Sequence, residues 1–456
     1  MSDEQNDKQE RSLLDEIRKM RRDADEGREP ELLQSRLGTR RFSAAALLER
    51  VVDAFISEHA GGTDALRDAD TETKRIKLVL GVVDYVLAVE SIHLENAEKA
   101  KLIRRAYTEL FTYGPLDALF TDPMITTISI DGADKLSIRK RHGELEHLPP
   151  KFEDEDHLRA IISRLLLDSS AALSENDPII ETGLRINNRR ISVNVAGPPV
   201  TYQISVDIRL HPTDPIGMDS LIAAGVLTPE SAQIITAITT SAHGAVIVGE
   251  PESGKTTLLS AMAHALPPDR QATAIAVERA GEMHLRETMQ RLRVEWPTED
   301  RPGQTFGEQI HNALNTDGIQ TLILDEVRAD EASAIGPLLD QAPAPRQLWA
   351  VRGPASSTRL ISALGMLARR SGGDADSEAL VRALYRLVPF VITLRRRQGQ
   401  LQLYSIAEWQ FREGQDYPDY VELMTMGWDG IEATGKRPAL SLDLPDNLWE
   451  PPNTHE

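Results

Sequence analysis

Cysteine is absent from all 456 residues, so neither a disulfide nor a thiolate metal site can form, and a reducing compartment suits the chain. An excess of positive charge is also lacking. Against 51 Lys+Arg stand 71 Asp+Glu, giving a formal net charge of −20. A basic footprint is the usual mark of a nucleic-acid binder, so no nucleic-acid partner is expected. The amino terminus, Met1 to Lys8, has no apolar core of a secretory signal peptide. The most apolar long run, Ile76 to Val89, is too short and too charged to span a bilayer and reads as a buried helix. A soluble chain with no integral membrane segment follows, one able to dock on a membrane protein. His142 and His147 show no ligand spacing, so no metal site is expected there, and no internal repeat is visible.

At this length about 2–4 domains are expected. Residues 1–37 are mostly charged and read as a disordered or helical tail. Residues 38–112 carry apolar positions at helical spacing, as in Leu47-Leu48, Val51-Val52 and Phe55-Ile56, broken at Gly61-Gly62. They suggest a helical bundle. Beyond Gly114-Pro115 the period shortens. Strand-like stretches at 125–130, 135–139 and 189–195 surround a helical one from His157 to Leu167, which gives an α+β domain over 113–212. From 213 to 412, strands near 245–248, 273–277, 321–325, 347–351, 390–395 and 401–405 alternate with helices. That alternation implies an α/β domain with a mainly parallel sheet and a closing hairpin around Gly399. Residues 413–456, rich in Pro, Asp and Trp, read as an irregular acidic tail.

The chemistry concentrates in the α/β region. Gly249-Glu250-Pro251-Glu252-Ser253-Gly254-Lys255-Thr256 fits the phosphate-binding G-x-x-x-x-G-K-[ST] pattern. An apolar strand precedes it, and a helix opens after it at Thr257. Backbone N–H groups of such a loop cradle phosphate at the positive end of a helix dipole, which predicts ATP or GTP binding. Lys255 would reach the β- and γ-phosphates and Thr256 would ligate Mg²⁺. Downstream, Thr321-Leu322-Ile323-Leu324 ends in Asp325-Glu326. Asp325 would join the Mg²⁺ shell and Glu326 would polarise an attacking water. Glu278, at the end of another strand, is a third candidate carboxylate, because strand ends of a parallel sheet face the ligand crevice. The cluster Arg395-Arg396-Arg397 reads as a solvated hairpin tip.

These residues resemble a family. Tyr113-Gly114-Pro115-Leu116-Asp117, Asp122-Pro123, Ile128-Ser129-Ile130-Asp131-Gly132, Asn176-Asp177-Pro178-Ile179-Ile180, the phosphate loop and Asp325-Glu326-Val327-Arg328 fall in the order seen in the type II and type IV secretion ATPases. The chain is most similar to the CpaF-like branch that drives tight-adherence (Flp) pili, over about 104–409. The resemblance implies a RecA-like P-loop ATPase domain behind a PAS-like α+β domain and an N-terminal helical region, with ATP and Mg²⁺ as cofactors. It implies arginines at the phosphates, with Arg209 and Arg328 as the nucleotide-binding candidates. It also implies a homo-hexamer at the cytoplasmic face of the inner membrane, moving a platform protein to feed pilin or substrate outward.

Departures from the family pattern bear on turnover. Glu278 is followed by Arg279 where an acidic residue is usual, Arg352 stands where histidine is expected, and Ala342-Pro343-Ala344-Pro345 replaces glycines and histidine. Gly183 stands where arginine is expected before Leu184, and Leu210 follows Arg209 in place of a second arginine. Three readings follow: an active ATPase motor, a divergent ATP-binding paralogue with weak turnover in a regulatory or structural ring, and a DNA-translocating conjugation ATPase.

Overall fold

The computed structural model describes residues 43–451, apart from 60–62, 70, 142, 150, 299–300, 341–343, 354–355, 373–375, 398–399, 416 and 428–429. The charged segment 1–37 therefore lies outside the described residues, as do Gly61-Gly62, His142, Ala342-Pro343 and Gly399. The chain divides into two compact units, Met1–Ala118 and Leu119–Glu456.

The first unit is helical. Helix Ala44–Glu58 starts where the Ser43 hydroxyl accepts the Ala46 N–H at 3.1 Å, and it buries Leu47, Val51 and Phe55 at four-residue spacing. Helices Glu72–Val89 and Asn96–Phe111 supply the facing layers through Val79, Val83 and Val86 and through Ala100, Ile103 and Ala106. The apolar run 76–89 is thus a helix with one buried face. Tyr85 and Val89 stay exposed on its other side.

The second unit holds two sheets. The smaller is antiparallel throughout, in the order β3-β2-β1-β6-β5-β4. Its strands are β1 (Ile125–Asp131), β2 (Leu136–Lys140), β3 (Leu145–Leu148), β4 (Ile179–Ile186), β5 (Arg189–Ala196) and β6 (Ser205–Leu210). Asn187 and Asn188, both at positive φ, form the two-residue turn between β4 and β5. Helix Glu155–Asp168 lies in the β3–β4 connection, its first turn capped by Asp154.

The larger sheet has nine strands in the order β15-β14-β13-β12-β7-β11-β10-β8-β9. Six are mutually parallel: β7 (Ala245–Gly249), β8 (Ala274–Glu278), β9 (Gln290–Arg293), β10 (Thr321–Val327), β11 (Arg346–Arg352) and β12 (Phe390–Arg397). Period-two alternation splits their side chains between two apolar layers. Ala245 and Ile247 join Leu258, Met262 and Ile234 on one face, while Val246 and Val248 join Trp349, Leu364 and Leu384 on the other. The domain is therefore mixed α/β, with helices on both sides of a largely parallel sheet.

Beyond β13 (Gln400–Gln410) the structure departs from the irregular tail expected over 413–456. β14 (Asp419–Met426) and β15 (Ile431–Ala433) extend the sheet antiparallel. Composition hid a short alternating run in which Val421 and Leu423 face the core. The buried Glu408 carboxylate then accepts the Ala439 and Leu440 N–H groups at 2.7 and 2.8 Å, which draws the following chain onto the sheet. No helix among the described residues is long and apolar enough to cross a membrane.

Candidate functional site

The loop between β7 and helix Lys255–Ala265 needs two unusual backbone positions. Gly249 has no room for a side chain, since a Cβ there would lie 2.2 Å from Ser253 Oγ and 2.8 Å from the Leu394 carbonyl oxygen. Gly254, at φ 83°, turns the chain into the helix with no side chain capping its start. First-turn N–H groups are thus left for an outside acceptor. Glu252, a non-glycine residue, also sits at positive φ (60°).

Lys255 is nearly buried and its ammonium donates to the Glu250 carbonyl at 3.0 Å; burial lowers its pKa. The Thr256 hydroxyl donates to Asp325 Oδ1 at 2.8 Å, across the intervening strand β11. Asp325 is raised well above the ordinary carboxylate range, first by burial and then by the charges of Glu282 and Glu278. Glu326 is partly exposed to the same space, its carboxylate 3.8 Å from Arg328 Nη2.

These groups open onto a cavity of about 330 Å³ between the small sheet and the carboxyl ends of the parallel strands. Eight basic and six acidic side chains line it, a local reversal of sign in an acidic chain. Pro251, Glu252, Gly254, Lys255, Thr256, Thr257, Asp325, Glu326, Arg209 and Arg328 all reach it. Arg209 comes from β6, beside Asp207 at 3.6 Å. Arg328 is fixed by Glu181 of β4 at 2.8 Å, and the Trp296 indole N–H reaches the Glu181 carbonyl at 2.8 Å. Both contacts join the small sheet to the larger one.

Glu278 is not brought to the cavity. It is fully buried, with Arg291 Nε at 2.6 Å and the Met283 N–H at 2.7 Å. The chain reverses at Gly281 (φ 69°), which returns Met283 over the carboxyl group, and Glu282 lines the cavity instead. Burial pushes the Glu278 pKa up to about 7. A raised acid pKa favours the folded state only while the group is protonated. Stability of the native protein relative to a Glu278→Gln variant should therefore fall as pH rises from about 4.5 to about 7, by roughly 3 kcal/mol. Urea titrations of both proteins across that window measure it, and parallel pH profiles would contradict it.

Several lining residues escape sequence reading. Arg139 of β2 meets Glu252 at 2.5 Å, and Arg396 of β12 meets the same carboxylate at 3.6 Å. The expected solvated tip is thus part of the cavity wall at Arg396, while Arg395 stacks over Tyr404. Arg279, at the position where the sequence resemblance leads to the expectation of an acidic residue, donates through Nε to the Glu326 carbonyl at 3.0 Å and grips Glu331 with both terminal nitrogens at 3.0 and 2.8 Å. Arg352 lines the cavity from the end of β11. Position 183 has no space for a side chain, because a Cβ would fall 1.7 Å from the Ala280 carbonyl oxygen.

The residues fit a polyanion with a divalent cation. Arg396 Nε is buried without a partner, and helix-start amides are uncapped beside a near-buried lysine. No cluster of three or more His, Cys, Asp or Glu side chains suited to a metal occurs among the described residues. Mg²⁺ bound largely through phosphate oxygens and water needs only one or two protein oxygens, which Thr256 and Asp325 provide.

Residues 112–336 match the family described as "Type II/IV secretion system protein". A Mycobacterium tuberculosis (strain CDC 1551 / Oshkosh) protein named for conjugal transfer is 28% identical over 195 residues, 42% of this chain and 54% of that protein. The chain thus spans about half the length of that relative. Among solved structures, the Legionella pneumophila ATPase DotB is similar at 17% identity, over 65% of this chain and 80% of that one, with a TM-score of 0.45. The VirB11 ATPase of the Brucella suis type IV secretion system is similar at 17% identity, over 64% and 95%, with a TM-score of 0.33. The family match includes Lys255, Thr256, Asp325 and Glu326, so the part of the chain that builds the cavity is the part similar to type II/IV secretion system proteins.

Proposed function

We propose that this chain is an ATP-binding and ATP-hydrolysing motor subunit of a secretion or pilus-assembly machine. The observation that carries the reading is the convergence of Lys255, the 2.8 Å Thr256–Asp325 pair and Glu326 in one basic-lined cavity. In this reading the 249–256 loop amides and Lys255 hold the β- and γ-phosphates, with Thr257 behind them and Arg209 and Arg328 closing from the sides. Thr256 and Asp325 would hold Mg²⁺, which would neutralise charge on the phosphates. Glu326 would orient and deprotonate the water that attacks the γ-phosphorus as the bond to the departing ADP oxygen breaks. Following the family resemblance, the working form would be a RecA-like, CpaF-like homo-hexamer. It would be cytoplasmic and peripheral to the inner membrane, acting on platform proteins and not on nucleic acid.

A second reading is favoured by particular side chains. Arg279 replaces the family's acidic residue, Glu278 is sequestered by Arg291, and Arg352 replaces a histidine. Together they suit a nucleotide-binding ring subunit with slow turnover. The conjugal-transfer name of the mycobacterial relative keeps a DNA-translocating reading in the test.

The experiment is nucleotide binding and steady-state ATP hydrolysis by the purified chain, alone, with DNA and with a membrane platform protein. A charge-assisted contact to phosphate is worth roughly 1.5–3 kcal/mol, so Lys255→Ala should weaken ATP binding about 10- to 100-fold. Binding unaffected by that change would refute the site. Binding without turnover under every condition selects the second reading, and DNA-stimulated turnover selects the third.

A further inference from the structure

The phosphate loop carries its own anion. Glu252 lies at the loop's tip, three residues before Lys255, in the left-handed backbone region that non-glycine residues rarely adopt. Its carboxylate meets Arg139 of the small sheet at 2.5 Å and Arg396 of the large sheet at 3.6 Å. Both arginines line the cavity, and Arg396 keeps one buried nitrogen, Nε, without any partner. Meanwhile the Lys255 ammonium folds back on the Glu250 carbonyl of the same loop. An anion between two guanidinium groups at the mouth of a basic cavity has the charge and the oxygen geometry of a phosphate. Both ion pairs are partly exposed, so exchanging their partner costs little, whereas a polyphosphate offers the arginines more oxygens than one carboxylate can.

We propose that Glu252 is a built-in phosphate surrogate, which occupies Arg139 and Arg396 until a nucleoside polyphosphate displaces it and takes both arginines over. The inference rests on the nucleotide reading of this cavity. Nucleotide binding is then a competition within the loop. Its affinity is set by an acidic residue at a position the phosphate-loop pattern leaves free, and the Arg139–Glu252 link between the two sheets opens when nucleotide enters.

The test is a double-mutant cycle on the full chain, read as equilibrium binding of ATP and ADP with Mg²⁺, so that turnover is not needed. Glu252→Gln keeps the shape of the side chain and removes its charge, and it should tighten binding about tenfold. Simple relief of repulsion would also tighten binding, so the arginine decides between them. Arg139→Gln should weaken binding severalfold more in the Glu252→Gln background than in the native one, because only there is Arg139 free to serve the ligand. Native affinity in Glu252→Gln, weaker affinity, or strictly additive effects would each overturn the surrogate while leaving a Lys255-dependent nucleotide site in place. Failure of the native chain and all variants to bind nucleotide would overturn the site reading and the surrogate with it.

Discussion

Glu326→Gln should lower ATP turnover by about 10²–10⁴-fold while leaving nucleotide affinity within about threefold, the signature of a lost general base. Glu326 ends the described apolar run of β10 with its carboxylate toward the cavity, and its backbone is held by Arg279. Gln retains the size and can still accept a hydrogen bond from water, but it cannot take up a proton. Glu278→Gln is the informative contrast. That carboxyl group is enclosed by Arg291 and the Met283 amide, so its loss should act on stability and leave turnover per folded molecule nearly unchanged. Single-turnover and binding measurements on both variants separate the outcomes. If Glu278→Gln abolishes turnover and Glu326→Gln does not, the roles assigned to the two carboxylates are wrong.

That contrast also marks what the sequence can carry. The loop 249–256 and the strand ending in Asp325-Glu326 are legible because local pattern decides them: an apolar run, then glycines or carboxylates at its end. Glu278 ends a strand in the same way, yet its direction is set by a chain reversal at Gly281 and by Arg291, thirteen residues on, which no strand-end rule contains. Arg139 and Arg396 enter the site through pairings with Glu252 that span over a hundred residues, so single-sequence periodicity gives no hint of them. The tail at 413–456 was read from its Pro and Asp content. Its strands depend on hydrogen bonds offered by the free edge of β13 and on the buried Glu408. The departures from family pattern are readable as residues, but what they do is not. Arg279 is seen to brace Glu326 and Glu331 only once β8 and β10 lie side by side.

Gly183 shows how such a departure becomes a structural constraint, and it gives the largest stability effect expected of one small substitution. On β4, two residues after Glu181, its backbone lies against Ala280, so that an added Cβ would sit 1.7 Å from the carbonyl oxygen and 2.8 Å from the carbonyl carbon. Backbone cannot swing aside as a side chain can. Gly183→Ala must therefore separate β4 from the segment after β8, and the Glu181 contacts to Arg328 and Trp296 would be strained with it. Overpacking of this kind costs about 3 kcal/mol, and Gly183→Arg, which restores the residue the family pattern suggests, should cost more. Gly197→Ala is the matched control. Its Cβ would meet Leu173 Cδ2 at 2.6 Å, also closer than real Cβ contacts come, but with the far end of a side chain that can rotate away. Its cost should stay under about 1 kcal/mol. Denaturant titrations of the three variants test the pair. Equal stability of Gly183→Ala and Gly197→Ala would mean that the small sheet and the larger sheet are free to part at this point, and that the cavity between them is not held closed by their backbones.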